Sequence, residues 1–479
     1  MNVLSHLEPK SVFSFFEEIC AIPHGSGNTK MISDYLMDFA AKRGLEAWQD
    51  ELNNVVIIKE AAPGYEEAEP VILQGHMDMV CEKAPGCPKD MEAEGLDLAV
   101  EGDTIYARDT TLGGDDGIAV AMGLALLDAK DLGHPRLEVL FTVDEEVGMT
   151  GAAGMDVSML RARRMLNLDS EAEGIFTVSC AGGCMSKCTM PVSREECGWD
   201  QMTITVGGLA GGHSGMEIHT GKGNAAMLLG RVLAAAAKET ELRVVSVCGG
   251  LKDNAIPREA TAVIAAADAK AAAAVAEAMD AALKREYRAA DGGVFVECST
   301  VSGQGRPMDA DSTRRTIALL TCAPNGVQEF SHEIEGLVQT SLNLGILASD
   351  ETSVKATFCV RSSVESQKQM LRDRLVCLMG ILGGSVEVTG DYPAWEYRAD
   401  SPLRELMAEV YREQYGKEPK IEAIHAGLEC GLFAGKLPGL DCVSIGPDLT
   451  EIHTTREKMH ISSVRRVWEM TVEVLRRMK

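Results

Sequence analysis

The sequence predicts an α/β protein whose helix-covered mixed sheet is interrupted by an α+β insertion. Three observations lead there. Apolar runs with strand character, NNVVIIKE (53–60), PVILQGHMDMV (70–80), LEVLFTV (137–143) and RRMLNLD (163–169), alternate with helical patterns, the order that builds a sheet covered by helices. From about residue 187 the texture changes to strands such as QMTITVGG, LRVVSVCGG, ATAVIAAAD and GVFVECSTV between helices 224–238 and 269–290. After YPAW (392–395) the first texture returns. Residues 1–186 and 391–479 are therefore read as one split domain and 187–390 as the insertion.

Taken in order, residues 9–44 have helical periodicity with a break at IPHGSGN (22–28). Two strands follow, the second running into His76 and Asp78, and 81–109 looks irregular and acidic. TTLGGDDG leads into the apolar helix IAVAMGLALLDA; strand 137–143, a glycine-rich turn and a strand ending at Asp169 complete the first part. Within the insertion, 269–290 is alanine-rich, which is high helix propensity. Further helices are expected near 311–321 and 364–382, with strands near 335–347, 352–361 and 384–390. Helix 401–415, the strand-like CVSIGP, His453 and a helix from 461 close the chain.

A formal net charge of −26 over 479 residues argues against a nucleic-acid partner, whose phosphates demand a Lys/Arg surface, and against an anionic membrane surface. The N-terminal MNVLSHLEPKSVFSFFEEIC lacks the basic and apolar regions of a signal peptide, and no apolar run is long enough to span a bilayer. The 14 cysteines are scattered through strand and helix patterns, as reduced core thiols would be. Cys180, Cys184 and Cys188 lack the paired spacing of a zinc knuckle. The expectation is a cytoplasmic protein.

The polar residues that break this pattern stand at the ends of apolar runs: His76, Asp78, Asp115, Glu145, Glu146, Asp169 and His453. Side chains alternate along an extended segment, so Glu145 and Glu146 should face different ways, one towards a cation and one towards a substrate. Two imidazoles and three carboxylates are what a pair of zinc-like ions sharing one bridging aspartate requires.

GHMDMV, TLGGDDGIA, FTVDEEVGMTGA, NLDSE and IHTTREK, in that order, resemble the motifs of co-catalytic zinc peptidases that include aminoacyl-histidine (Xaa-His, carnosinase-like) dipeptidases. GGHSGMEIHTGKGNAA, DNAIPREA and IHAGLECG resemble the bacterial aminoacyl-histidine branch of that family, and the resemblance spans the chain. It implies a zinc-exopeptidase-like catalytic domain with the insertion as a lid. It makes Asp115 the bridging ligand of two divalent ions, with His76 and Asp169 on one and Glu146 and His453 on the other. Zinc is implied, with cobalt or manganese open. Asp78 would orient His76, Glu145 would be the general base, and the bond Asp115–Asp116 would be cis.

His219 would donate to the oxyanion from the lid, while His213 reads as structural. Asn254 and Arg361 from the lid, and Gly427 and Glu429 from the catalytic domain, are the candidates for the substrate's ends; His425 could line the pocket. His24, His134, His332 and His460 match no role. The activity implied is hydrolysis of dipeptides, Xaa-His with broad tolerance at the N-terminal residue. The alternative is an amidohydrolase of N-acyl amino acids, or a tripeptidase, with the same metal site. Whether the lid also mediates a homodimer stays open.

Overall fold

The structure, a computed structural model, describes residues 3–301, 303 and 305–479. The chain divides into two compact units. Met1–Ser179, Tyr397–Ala423 and Leu428–Lys479 form the first; Cys180–Glu396 and Ile424–Gly427 form the second.

The first unit begins with α1 (Lys10–Cys20) and α2 (Lys30–Arg43). Val12, Phe13, Phe15, Phe16, Ile19 and Cys20 make the buried stripe of α1, the i, i+3, i+4 spacing of an amphipathic helix. Strands β1 (Glu46–Gln49), β2 (Val55–Lys59) and β3 (Val71–His76) follow. The stretch 81–109, expected to be irregular, contains the hairpin β4 (Leu98–Glu101) and β5 (Thr104–Ala107). These strands are four residues each, too short to show a period of two against their acidic surroundings. Next come α3 (Gly114–Asp128), β6 (Leu137–Thr142), α4 (Thr150–Gly154), β7 (Arg164–Asn167) and β8 (Ile175–Cys180).

The second unit holds β9 (Gly182–Pro191), β10 (Asp200–Gly207), β11 (Gly212–His213), α5 (Ala225–Glu239), β12 (Leu242–Gly249), β13 (Ala255–Ile256), β14 (Ala260–Ala266), α6 (Ala269–Glu286), β15 (Phe295–Val301), α7 (Ala310–Cys322), β16 (Gly326–Phe330), β17 (Val338–Ser349), β18 (Ser353–Ser362), α8 (Glu365–Ile381) and β19 (Ser385–Tyr392). The chain then returns with α9 (Pro402–Tyr415), β20 (Lys420–Ile424), α10 (Glu429–Lys436), β21 (Asp441–Ser444), β22 (Leu449–Thr450), β23 (Lys458–His460) and α11 (Ile461–Arg477). The main sheet has the order β1-β2-β6-β3-β7-β21-β8-β20. Its centre, β6-β3-β7-β21, is parallel, and β1 and β2 continue it antiparallel on one side. Every residue of β3 and β6 is buried, as expected for parallel strands covered on both faces. The glycine in the middle of α3 has a packing cause: a Cβ at Gly123 would lie 2.9 Å from Cζ of Phe141 on β6.

The second unit is an antiparallel sheet covered by helices. Its strands run Phe295–Val301, Asp200–Gly207, Ala260–Ala266, Leu242–Gly249, Val338–Ser349, Ser353–Ser362, Gly182–Pro191 and Ser385–Tyr392, in that lateral order. The helix Ala225–Glu239 packs Leu228, Leu229, Val232 and Leu233 into its core. The Asn224 side chain caps this helix by accepting from the N–H of Ala226 and Met227, the preferred use of an asparagine at that position. Gly427 and His425, on the short return 424–427, belong to this unit.

Candidate metal centre

The parallel strands β3, β6 and β7 lie side by side, with His76 opposite Thr142 and Gln74 opposite Asn167. Their carboxyl ends therefore open on one edge, where α/β sheets place ligands. His76 is the last residue of β3, Asp169 stands two residues beyond β7, and Asp115 is in the first turn of α3. The bond Asp115–Asp116 is cis. His453 lies between β22 and β23 with φ 59°.

Glu145 and Glu146 depart from the expected strand alternation. β6 ends at Thr142, Asp144 turns into the left-handed region at φ 55°, and the N–H groups of Gly148 and Met149 both donate to the carbonyl of Glu145. The two glutamates sit on a turn, so both converge on His76 instead of facing opposite ways: ligand atoms of His76, Glu145 and Glu146 lie within 4.8 Å of one another.

Asp115 is the centre of the arrangement. Its Oδ1 is 3.1 Å from His76 Nε2, and its Oδ2 is 3.1 Å from His453 Nε2. His76 Nε2 is also 3.5 Å from Asp169 Oδ1, and His453 Nε2 is 2.8 Å from Glu146 Oε1. Glu146 Oε1 is buried yet has no hydrogen bond of proper geometry among the described residues. On its other side His76 is fixed: Nδ1 is 3.0 Å from the carbonyl oxygen of Asp78 and 3.4 Å from its carboxylate. The backbone carbonyl of Asp78 is thus the nearer partner. Its carboxylate accepts from Ser26 Oγ (2.8 Å) and from the N–H of Glu145 (3.2 Å), and so ties the histidine to the glutamate turn.

The electrostatics show a site short of positive charge. Burial pushes Glu145 up to about 9, helped by Asp169, Glu429 and Glu146. Burial likewise raises Asp169 to about 6, with Asp115 and Glu146 adding to it. Burial would raise Asp115 as well, but hydrogen bonds from His453 and His76 hold it well below the usual range. The hydrogen bond to the Asp115 carboxylate and the nearness of the Glu146 carboxylate lift His453 to about 10. Crowded carboxylates, an orphaned Glu146 oxygen and two Nε2 atoms aimed at carboxylates form a donor set that suits divalent cations. Asp115, Glu146 and His453 lie close enough together to hold one ion; His76 and Asp169 group in the same way with Asp116, while the other Asp115 oxygen stands 3.1 Å from His76 Nε2.

Three buried residues here have no counterpart in the sequence reading. Asp116, raised well above the usual range by burial and Asp169, accepts from the N–H of His76 at 3.2 Å. Glu457 accepts from the backbone of the Asp115 turn. Gln74, on β3, donates to Glu429 Oε2 at 2.6 Å and accepts from Asn167 at 2.6 Å. Twin aspartates in GGDDG and a glutamate four residues after His453 are visible as residues, but their partners are distant in sequence.

Glu429, expected at the substrate, is wholly buried at the start of α10. Its Oε2 accepts from Gln74 and from Thr142 Oγ1 (2.6 Å), and only Oε1 lacks a partner among the described residues. Burial, with Asp169 and Asp78, raises it to about 7.

In the second unit His219 and Asn254 are exposed, and Gly427 is half-buried. His213 Nδ1 accepts from the N–H of Gly215 (3.2 Å) and Met216 (3.1 Å), so its proton sits on Nε2. Arg361 is buried; it donates to Tyr392 OH at 3.3 Å, and its Nε has no partner among the described residues. His425 Nε2 is 2.7 Å from Ser341 Oγ, its Nδ1 is orphaned, and burial beside Arg361 lowers it to about 3.

No helix among the described residues is long and apolar enough to cross a membrane. The chain is 38% identical to a cytosol non-specific dipeptidase of Escherichia coli (strain K12), with 99% of each chain covered. Its structure matches that of an aminoacylhistidine dipeptidase from Vibrio alginolyticus with a TM-score of 0.93 at 37% identity, covering 98% of this chain and 97% of the other. The fold is shared with aminopeptidase PepT from Bacillus cereus, at a TM-score of 0.55 and 17% identity over 98% and 99% of the two chains. The model of peptidase family M20/M25/M40 matches residues 72–477, and the chain belongs to that family.

Proposed function

We propose that this peptidase hydrolyses dipeptides with a free carboxylate, Xaa-His among them, using two divalent ions, zinc or in its place cobalt or manganese. The observation that carries the reading is Asp115, whose two oxygens each stand 3.1 Å from a histidine Nε2. The names of the relatives, a non-specific dipeptidase and an aminoacylhistidine dipeptidase, support the dipeptide as substrate, and the word cytosol in the first supports a cytoplasmic location.

In this reading His76, Asp115 and Asp169 would hold one ion, and Asp115, Glu146 and His453 the other. Once bound, the ions would supply Lewis acidity and lower the pKa of water at the site. Glu145 accepts the proton of the attacking water and returns it to the leaving amine nitrogen. Its burial keeps that proton from bulk water, and Asp78 holds the turn on which it sits. The second unit acts as a lid, with His219 as oxyanion donor.

Arg361 is the candidate for the substrate carboxylate, for a physical reason: a buried guanidinium with an unused Nε is a costly arrangement until an anion meets it. Asn254 and Gly427 are further candidates for the substrate's ends. Glu429 could meet substrate only through Oε1.

The test is kcat/KM for Ala-His, Ala-His-Ala and Ala-His amide on protein loaded with each metal. An added residue displaces the carboxylate by roughly 3.3–3.6 Å and leaves the guanidinium unpaired, at a cost of ~1–3 kcal/mol. Ala-His should be cleaved about tenfold faster than the others or better, and Arg361→Ala should narrow the gap to the amide. Equal rates on all three would reject the dipeptide reading and leave a metallopeptidase of broader scope.

A further inference from the structure

Glu457 is the next-to-last residue of IHTTREK, four residues after His453. It is the only buried residue of 451–457. Its Oε2 accepts from the N–H of Leu112 at 2.8 Å and of Gly113 at 3.2 Å. Its Oε1 accepts from Gly114 at 2.8 Å and more loosely from Asp115 at 3.4 Å. Four successive amides thus close on one carboxylate from the far end of the chain. They belong to the non-helical turn that leads into α3, with Asp115 at φ −84° and ψ 106°, and successive backbone N–H groups on such a turn form a concavity where a negative charge is favoured.

The two glycines of TLGGDD suit this turn. Gly113 has φ 67°, and a Cβ on Gly114 would lie 3.2 Å from Glu457 Oε1.

The loop that Glu457 anchors needs an anchor. Two of its residues, Glu451 (φ 54°) and His453 (φ 59°), are left-handed without being glycine, a conformation that persists only where surroundings impose it. The His453 side chain is 42% exposed. On the solvent side turn contacts hold the loop, among them Thr454 Oγ1 to the carbonyl of Glu451 (2.7 Å) and Arg456 to the Glu451 carboxylate (2.8 Å).

We propose that Glu457 is a positioning residue of the metal centre, clamping the Asp115 turn and the His453 loop into one rigid unit. The inference rests on the metal-site reading above. Loss of the clamp frees His453 from Asp115, so the ion between Asp115, Glu146 and His453 loosens. His76 and Asp169 stand at the ends of the buried strands β3 and β7, so the other ion, which shares only Asp115 with the loosened turn, weakens less.

The test uses Glu457→Gln, which retains shape but turns an amide NH₂ towards backbone donors, and Glu457→Asp, which keeps the charge on a shorter arm. In metal-free protein, hydrogen exchange at the amides of Leu112, Gly113 and Gly114 should quicken tenfold or more in Glu457→Gln, with β3 and β6 unchanged. In zinc titrations one dissociation constant should rise tenfold or more and the other by a clearly smaller factor; Glu457→Asp should lie between. Excess zinc should restore kcat with KM near wild type, which a general structural role would not produce.

Unchanged exchange, or an equal weakening of both ions, would overturn the proposal. Should Glu457→Gln not fold, Glu457→Asp decides by the same two readings. A wild-type protein that takes up fewer than two ions would overturn the metal-site reading instead, while exchange in the metal-free variants still reports whether the clamp exists.

Discussion

Glu145 and Glu146 are neighbours with opposite chemical surroundings, although both lie on one turn. Glu146 points an orphaned oxygen at His453 Nε2, 2.8 Å away, whereas Glu145 is pushed up to about 9 by burial and nearby carboxylates. A group in the first position holds a cation; a group in the second is primed to hold a proton. Glu145→Gln should therefore bind both ions as wild type does and lose ~10²–10⁴-fold in kcat, the usual contribution of a general base. Glu146→Gln should instead lose one ion at limiting metal. Elemental analysis beside steady-state kinetics checks both, and an exchange of the two phenotypes would reverse the assignment.

At the level of elements, the site depends on strand ends that cannot move and on caps that stop helices from fraying. Asn224 is an example from the second unit. Besides capping its helix, its Nδ2 donates to Asn343 Oδ1 (3.0 Å) and to the carbonyl of Leu344 (2.9 Å) on a core strand. Asn224→Ala removes the cap, worth ~1–2 kcal/mol, and leaves two buried acceptors unmet, at ~1–3 kcal/mol more. Denaturant unfolding should show a loss of about 2–4 kcal/mol with metal content unchanged. A loss below ~1 kcal/mol would mean that water replaces the side chain. The amphipathic stripe of α1, the capped helix after GKGN and the buried strands are all legible in the sequence, because each is encoded by residues within one or two turns of each other. The hairpin β4–β5 is not, since four-residue strands carry too little pattern.

Across the whole molecule, the unbalanced charge at the centre makes stability depend on pH and metal together. Folding raises Glu145 from its ordinary value to about 9 and His453 to about 10. A group raised on folding holds its proton more tightly in the folded state. Its stabilisation is complete below the unfolded pKa, near 4.3 for Glu and 6.5 for His, and is lost as pH climbs through the folded value. Metal-free protein should thus melt at progressively lower temperature from pH 6 to pH 9. Divalent ions replace those protons and bind more tightly as pH rises. The Tm gap between zinc-loaded and chelator-treated protein should widen over that range, as scanning calorimetry can measure. A gap that narrows would show that the charges are balanced some other way.

The sequence by itself determined the class of fold, and it offered the change of texture read as an insertion and the polar residues that gather around Asp115. These follow from apolar periodicity and from polar residues at the ends of apolar runs, signals carried by near neighbours in the chain. Only the tertiary structure decided how those residues are used. The left-handed turn at Asp144 brought Glu145 and Glu146 to the same side, against the alternation of an extended strand. Burial withdrew Glu429 into hydrogen bonds with Gln74 and Thr142. The approach of Glu457 to the Asp115 turn joined positions more than 340 residues apart. Such pairings depend on which strands become neighbours and on what a buried carboxylate must find to offset its lost hydration, and neither is written in local sequence.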